Sequence, residues 1–419
     1  MNLLHRARHL PIFAAEQEPT TAPDLDAVKP VFALIGDSIT AGCTPTSSGD
    51  TNVGYWHWAQ AISGFRAYCP VYAGIGGNVT SQVLGRLETD VIIPMAAYTD
   101  RDRYCIVMAG VNDSVNASDI ITAATDNLTQ IYNDLIAAGI TPIAMTITPT
   151  IYANDATKLA NWTGINDWLR VYCPANGITL VDNIDECLDG AYPPTAPPTW
   201  KTDYSHDGVH PTAQGALAIG APLAATLAAL LPAVDHFEAG TAAFTGSLLS
   251  NHAMLGTGGS FGTDGSGTVA DSWQILYGVG SKAARSDGIA GEWQVLEIGA
   301  SSVRFNPSSG IDVTSGFVPG DKVAAQAEVY CVDDWDTITQ LVLHMEFRSG
   351  SSSLDVLSFL ANNPNTGEIV NPAPDDTITL RTAPAIVPAG TTAIRTYLYF
   401  VGAGGTIRVG RYELNKVGA

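Results

Sequence analysis

Five short apolar runs fall at 31–35 ("VFALI"), 69–73 ("CPVYA"), 104–109 ("YCIVMA"), 141–147 ("TPIAMTI") and 178–182 ("ITLVD"). The stretches between them repeat apolar residues at helical spacing, and this alternation restricts the fold more than any other feature. Strands that are apolar at nearly every position are buried on both faces; alternating with helices, they form a parallel sheet layered by helices on either side. The helical stretches are 55–65, 79–93, 117–138 and 156–173, with a closing helix over 211–231. In the third, Ile120, Ile121, Ala124, Leu128, Ile131, Leu135 and Ile136 fall on one stripe, and Gly139 follows as a C-terminal stop. The expectation is an α/β domain with a doubly wound parallel sheet over 29–235, preceded by a polar, proline-bearing arm over 1–28.

After Leu231-Pro232 the texture changes. Residues 240–419 are rich in Gly, Ser and Thr and contain short segments with period-two alternation. In "AIRTYLYF", Ile394, Thr396, Leu398 and Phe400 point one way, while Arg395, Tyr397 and Tyr399 point the other. Such segments between turn residues predict an all-β antiparallel sandwich. A chain of 419 residues is also too long for one ordinary core, which agrees with two domains.

Charge excludes several partners. The net charge is −21, with 22 acids against 10 bases in 1–232 and 19 against 10 in the remainder. Neither part offers the basic face that nucleic acid or an anionic membrane requires. The uncharged run 216–234 ("ALAIGAPLAATLAALLPAV") has the length of a bilayer span, but alanine, Pro222 and Pro232 mark it as a helix packed on the sheet. Arg6 and Arg8 precede an apolar run too short for a secretory h-region, so no signal peptide is expected. The six cysteines show no metal-ligand spacing and read as free or mostly free thiols, with a bridge in the first domain as the alternative.

In a doubly wound sheet, ligands bind beyond the carboxyl ends of the strands. After the first strand comes Gly36-Asp37-Ser38, after the second Gly74 in "YAGIGGNVT", and after the third Gly110-Val111-Asn112-Asp113. "SHDGVHPT" supplies Asp207 and His210 just before the last helix. A serine hydroxyl becomes a nucleophile when an imidazole takes its proton, and a carboxylate on the other ring nitrogen orients that imidazole. Backbone N–H groups of Ser38 and Gly74 and the Asn112 side chain are candidate donors to a tetrahedral oxyanion. The competing reading makes Ser38 a plain helix cap, with Asp37 as a loop hydrogen-bonding residue and Asp113 as a turn residue. His206 and Asp203 read as surface residues or substrate contacts, and Tyr55, Trp56 and Trp58 as core.

This ordered set, GDS, a glycine after the second strand, GxND and DxxH, resembles the SGNH (GDSL-type) hydrolases over residues 31–231. The resemblance implies a flavodoxin-like fold and an esterase, lipase, thioesterase or carbohydrate deacetylase activity. It also implies Ser38 as nucleophile, Gly74 and Asn112 with Ser38 as the oxyanion hole, and Asp207 and His210 as the rest of the triad. Tyr72 departs from the family, where many relatives place Asn, and the expected consequence is for loop anchoring. The serine block is not the Gly-x-Ser-x-Gly elbow of α/β-hydrolases.

Residues 250–274 are similar in texture to the start of jelly-roll carbohydrate-binding modules. That resemblance implies sugar stacking by Trp273 and Trp293, with Trp335, Tyr397 and Tyr399 as further candidates and a core role as the alternative. Asp333, Asp334 and Asp336 read as a solvated acidic turn, with calcium binding as the alternative. No cofactor and no metal is called for.

Three functions compete. The first is a serine esterase removing short acyl groups, acetyl above all, from a carbohydrate. The second is a general carboxylesterase or lipase-type hydrolase. The third is a phage tail-associated glycan-binding protein, whose hydrolase domain is inert or active. The expected partner is an acylated small molecule or polysaccharide, and the expected location is extracellular or on a virion.

Overall fold

The structure, a computed structural model, describes residues 29–44, 54–116, 118–234, 237, 247–298, 302–307, 312–332, 338–360, 377–402 and 404–417. The arm 1–28, Trp335 and the acids at 333, 334 and 336 lie outside the described residues, as does nearly all of the expected junction between 235 and 240.

Five parallel strands form the first sheet: β1 (Val31–Gly36), β2 (Tyr68–Gly74), β3 (Arg103–Met108), β4 (Thr141–Met145) and β5 (Thr179–Val181). Their order is β2-β1-β3-β4-β5, the flavodoxin-like doubly wound arrangement. Every residue of β1 is buried, as its uninterrupted apolar run requires. The chain leaves β1 for β2 on one side and returns to β3 on the other, so the switch point lies beside β1.

The helices are α1 (Ser38–Ala41), α2 (Tyr55–Ser63), α3 (Thr80–Leu87), α4 (Ile93–Met95), α5 (Val111–Ser114), α6 (Ile121–Ala137), α7 (Ala156–Ala175), α8 (Ile184–Cys187) and α9 (Ala213–Leu230). Between α3 and α4 the chain continues as a wider turn, Glu88–Ile92, so the stretch expected as one helix over 79–93 changes pitch partway. On α6 the predicted stripe holds for Ala124, Leu128, Ile131 and Leu135, but Ile136 is exposed and Tyr132 is buried instead. Gly139 follows α6 in the left-handed region, where glycine is unstrained. Helix α9 is long and apolar enough to cross a membrane, but Ile219, Leu223 and Leu227 are buried in the core of the first domain. The five cysteines with described side chains are free thiols.

From 247 onward the chain forms two packed sheets. One contains Thr377–Arg381, Lys322–Cys331, Thr406–Lys416, Glu292–Glu297, Gly278–Ala284 and Gly265–Gly267 in that order, with Ala385–Ile386 joined to the second strand. The other runs Ser352–Leu360, Ile338–Ser349, Ala393–Gly402, Ser302–Pro307, Trp273–Leu276 and Ser260–Phe261, with Asp312–Val313 joined to the third strand. The sandwich is mostly antiparallel as expected. Its exceptions are the pairings of 260–261 with 274–275 and of 265–267 with 278–280, which are parallel.

Two expectations about tryptophan need correction. Trp273 is completely buried between the rings of Phe305 and Tyr412, at centroid distances of 4.7 and 5.0 Å. Trp293 is also buried, with the Arg285 guanidinium 4.1 Å from its ring centroid. A covered ring cannot stack on a sugar: Trp273 belongs to the sandwich core, and Trp293 lies outside that apolar cluster, covered by Arg285 and Tyr330. Tyr397 and Tyr399 remain partly exposed on the outer face of the second sheet.

The two domains share apolar contacts. Trp58, Ala61, Ala213, Ala216 and Leu217 of α2 and α9 belong to the same buried cluster as the inside of the sandwich. Tyr55 and Trp56, on the same helix α2, are buried in the first domain's core.

Candidate active site

Register places the site. Gly36, the last residue of β1, pairs with Gly74 of β2 and with Met108 of β3. The loops that leave these strands therefore start level with one another at one sheet edge. Gly74 is needed for this closeness: a Cβ there would stand 2.1 Å from the backbone nitrogen of Ala41 in α1. A Cβ at Gly76 would stand 3.9 Å from the Cβ of Ser38, so the loop after β2 lies beside the serine.

Ser38 is the first residue of α1. Asp37 caps that helix, its Oδ1 accepting from the backbone N–H of Ile39 at 3.0 Å. The cap in this turn is thus Asp37, which leaves the Ser38 hydroxyl for other work. Its Oγ lies 2.8 Å from Nε2 of His210, 172 residues along the chain.

His210 is held from its other side. Its Nδ1 lies 2.7 Å from Oδ2 of Asp207. The other carboxylate oxygen, Oδ1, accepts from the backbone N–H groups of His210 and Val209 at 2.7 and 2.9 Å. Burial pushes the Asp207 pKa up, but the hydrogen bonds from the His210 ring and these two N–H groups outweigh it and hold the pKa down at about 2. The ionised carboxylate only accepts, so Nδ1 is the donor. Nε2 is thereby left as the acceptor for the serine proton.

The loop carrying this pair is fastened locally. Ser205 Oγ donates to the His210 carbonyl at 2.7 Å and accepts from Gly208 N–H at 2.9 Å. Gly208 has φ of 82°, a left-handed turn that lets Asp207 and His210 face each other. Thr212 caps α9 through Gly215 N–H, while its own hydroxyl donates to the Asp203 carbonyl. Ile151 N–H donates to the Gly208 carbonyl at 3.1 Å, which brings the partly exposed side chains of Ile151 and Tyr152 beside this loop.

Asn112 leaves the third strand on α5. Its Nδ2 donates to the Asn78 carbonyl at 3.0 Å, which fixes the amide and leaves a second N–H on the same nitrogen. Asp113 is more than the turn residue expected. It is buried and accepts from both the N–H and the hydroxyl of Thr80, at 2.9 and 2.7 Å, joining α5 to the start of α3.

The residue that sequence reading missed is Arg86. Its guanidinium donates to the carbonyls of Ala73 and Gly36, both at 2.7 Å, and to Oδ1 of Asn78 at 2.8 Å. One side chain ties together the ends of β1 and β2 and the loop that positions Asn112. A single arginine on an amphipathic helix carries no sequence signal of such a role.

Asp37 is almost completely buried. Desolvation dominates and drives its pKa up to about 7, against the Ile39 N–H and His210, which lower it, while Asp113 raises it further. His57 is also buried, but its Nε2 donates to the Cys43 carbonyl at 2.7 Å, and burial lowers its pKa to about 4. It is a neutral structural histidine. His206 also approaches Asp207, its Nε2 3.9 Å from Oδ2, and its ring lies nearly parallel to that of His210, so the three side chains form a group that could hold a metal ion.

Residues 34–218 match the family model described as GDSL-like Lipase/Acylhydrolase family. No curated protein sequence matches the chain. Among solved structures, a GDSL-like lipase from Bacteroides thetaiotaomicron is 21% identical, covers 48% of this chain and 89% of its own, and has a TM-score of 0.36. A lipase/acylhydrolase from Enterococcus faecalis is 18% identical, covers 50% of this chain and 100% of its own, with a TM-score of 0.38. An acetyl-xylooligosaccharide esterase from Geobacillus is 18% identical and covers 46% of this chain and 91% of its own, with a TM-score of 0.35. At those scores substrate must be argued from the site itself.

Proposed function

We propose that the protein is a serine esterase acting on short acyl esters, acetyl above all, carried by a carbohydrate, a reading supported by the match of residues 34–218 to the GDSL-like lipase/acylhydrolase family model. The observation that supports the reading most directly is the row Ser38 Oγ, His210 Nε2, His210 Nδ1, Asp207 Oδ2, with separations of 2.8 and 2.7 Å.

In the proposed mechanism, Ser38 Oγ attacks the ester carbonyl carbon as Nε2 takes its proton. Asp207 stabilises the imidazolium so formed. The carbonyl oxygen becomes an oxyanion and receives the free N–H of Asn112 together with the backbone N–H groups of Ser38 and Gly74. When the intermediate collapses, Nε2 returns its proton to the departing alkoxide and the acyl group stays on Ser38. Water, deprotonated by the same nitrogen, then releases the acid and restores the serine.

Exposed Ile75 follows Gly74 in the loop after β2, and Ile151 lies against Gly208 in the loop that carries His210, so two of the loops that form the site carry apolar side chains for a short acyl group. The carbohydrate part of the reading rests on the attached β-sandwich, where Tyr399 is partly exposed on one face, while the ring of its neighbour Tyr397 is stacked on His344 at 4.4 Å.

A series of p-nitrophenyl esters from acetate to octanoate, run beside acetylated xylan and acetylated pectin, tests both parts. The expectation is highest kcat/KM for acetate, release of acetate from at least one polymer, and a loss of kcat of roughly 10⁴-fold or more in Ser38→Ala. Retained activity in Ser38→Ala would overturn the nucleophile. A preference for octanoate without release from either polymer would replace the carbohydrate reading by a general carboxylesterase.

A further inference from the structure

We propose that His206, Asp207 and His210 form a binding site for a zinc-class divalent ion whose occupancy switches the catalytic row off. The inference rests on the proposed roles of Ser38 and His210, but the site itself does not.

Three observations carry it. First, Asp207 Oδ1 is engaged by two backbone N–H groups, so Oδ2 is the oxygen turned toward both imidazoles. It lies 2.7 Å from Nδ1 of His210 and 3.9 Å from Nε2 of His206, and the three ligand atoms all fall within 4.8 Å of one another. Zinc bound tetrahedrally at its usual bond lengths sets neighbouring ligand atoms roughly 3.3 Å apart. The triangle is therefore close to the required size, and small side-chain rotations complete it. Second, the rings of His206 and His210 lie nearly parallel at 18°, with centroids 6.0 Å apart, and present nitrogens to a common oxygen. Third, the three side chains are each about 40% exposed, so an ion reaches them from solvent and a water molecule completes the shell.

Two nitrogens and one carboxylate oxygen select zinc, nickel or copper over magnesium and calcium, which favour oxygen ligands. The consequence for the row follows from imidazole chemistry. An ion on Nδ1 uses that nitrogen's lone pair and displaces its proton. A neutral ring then carries its single N–H on Nε2, the nitrogen facing Ser38 Oγ at 2.8 Å. Nε2 becomes a donor and cannot take the serine proton, and Asp207 is drawn to the ion instead of orienting the ring.

The test uses the full-length chain. Hydrolysis of p-nitrophenyl acetate is titrated with zinc sulfate, with magnesium and calcium chlorides at millimolar concentration as controls and EDTA added last. For each protein the rate with metal is divided by its own rate without it. The expected result is zinc inhibition reversed by EDTA, none by magnesium or calcium, and a half-inhibitory zinc concentration at least tenfold higher in His206→Ala and in His206→Gln. Equal zinc sensitivity in the wild type and both variants overturns the proposal.

Calorimetric titration of zinc into Ser38→Ala, which keeps all three ligands, is compared with Ser38→Ala/His206→Ala. One ion per chain lost in the double variant supports the site; identical isotherms overturn it. If the wild type hydrolyses no ester, the esterase reading fails, while the calorimetric comparison still decides the metal site.

Discussion

The guanidinium of Arg86 donates to the carbonyl of Gly36 at 2.7 Å across fifty residues of sequence, and reaches the Ala73 carbonyl at the same distance. Gly36 ends the strand that delivers the serine, and Ala73 precedes the glycine that stands beside it. The charge is only 13% exposed, so its hydrogen bonds are poorly replaced by water. Arg86→Gln should lower unfolding free energy by about 1–3 kcal/mol. It should also lower kcat on aryl acetate more than it changes KM, because the loops that aim the catalytic groups loosen. Unchanged Tm together with unchanged kcat would show that Arg86 positions nothing.

Asn112 is proposed to meet charge that exists only on the oxyanion. Its truncation to alanine should cost kcat on the order of 10²–10³-fold, with KM changed far less. Its bond to the Asn78 carbonyl is also lost, so circular dichroism of the variant checks that the loop survives. A drop confined to KM would place Asn112 in substrate binding instead.

Asp37 predicts a pH dependence of stability. The folded carboxyl holds its proton up to a pKa of about 7, whereas the unfolded one releases it near the ordinary value of 3.8. Between those values the native state binds more protons than the unfolded state, so this group's contribution to stability is complete below about pH 4 and falls as pH rises toward 7. The upper bound on the fall is roughly 4 kcal/mol at 1.36 kcal/mol per unit. Asp37→Asn keeps an oxygen for the Ile39 N–H but does not ionise. Urea unfolding at pH 5 and pH 8 should show the difference between wild type and variant moving in the variant's favour at the higher pH. A difference that stays constant would remove Asp37 as the cause.

Trp58 predicts that the two domains are not independent. It is buried with the interior of the sandwich, as are Ala61 and Leu217. Trp58→Ala should cost about 3–5 kcal/mol. A fragment spanning residues 1–235 should bind a hydrophobic dye and melt below the full-length protein. A fragment as stable as the whole and silent toward the dye would contradict the shared core.

Much of the first domain is legible in the sequence itself. A parallel strand covered on both faces must be uncharged and apolar, so runs such as 104–109 and 141–147 announce themselves locally. The polar breaks that follow them, at Ser38, Gly74 and Asn112, are local as well. What could not be read is which loops stand level. That depends on Gly36 pairing with both Gly74 and Met108, and on a loop 172 residues away turning His210 to Ser38. Arg86 was silent for the same reason: its partners are backbone carbonyls, which every residue possesses.

The second domain divides differently. Period-two alternation identifies strands, but it does not say which parity faces inward, since both faces of a strand repeat every second residue. Trp273 and Trp293 were therefore open to either reading until a neighbouring strand supplied Phe305, the opposing sheet Tyr412, and the end of the strand beside Trp293 Arg285. Helix α2 makes the same point within nine residues, sending Trp56 into one domain's core and Trp58 into the other's. Local pattern determined the elements and the chemistry at their ends, because backbone preference and side-chain type act over a few residues. Tertiary pairing decided which of those ends meet and which rings are covered, because contact across the fold is set by partners the local chain does not contain.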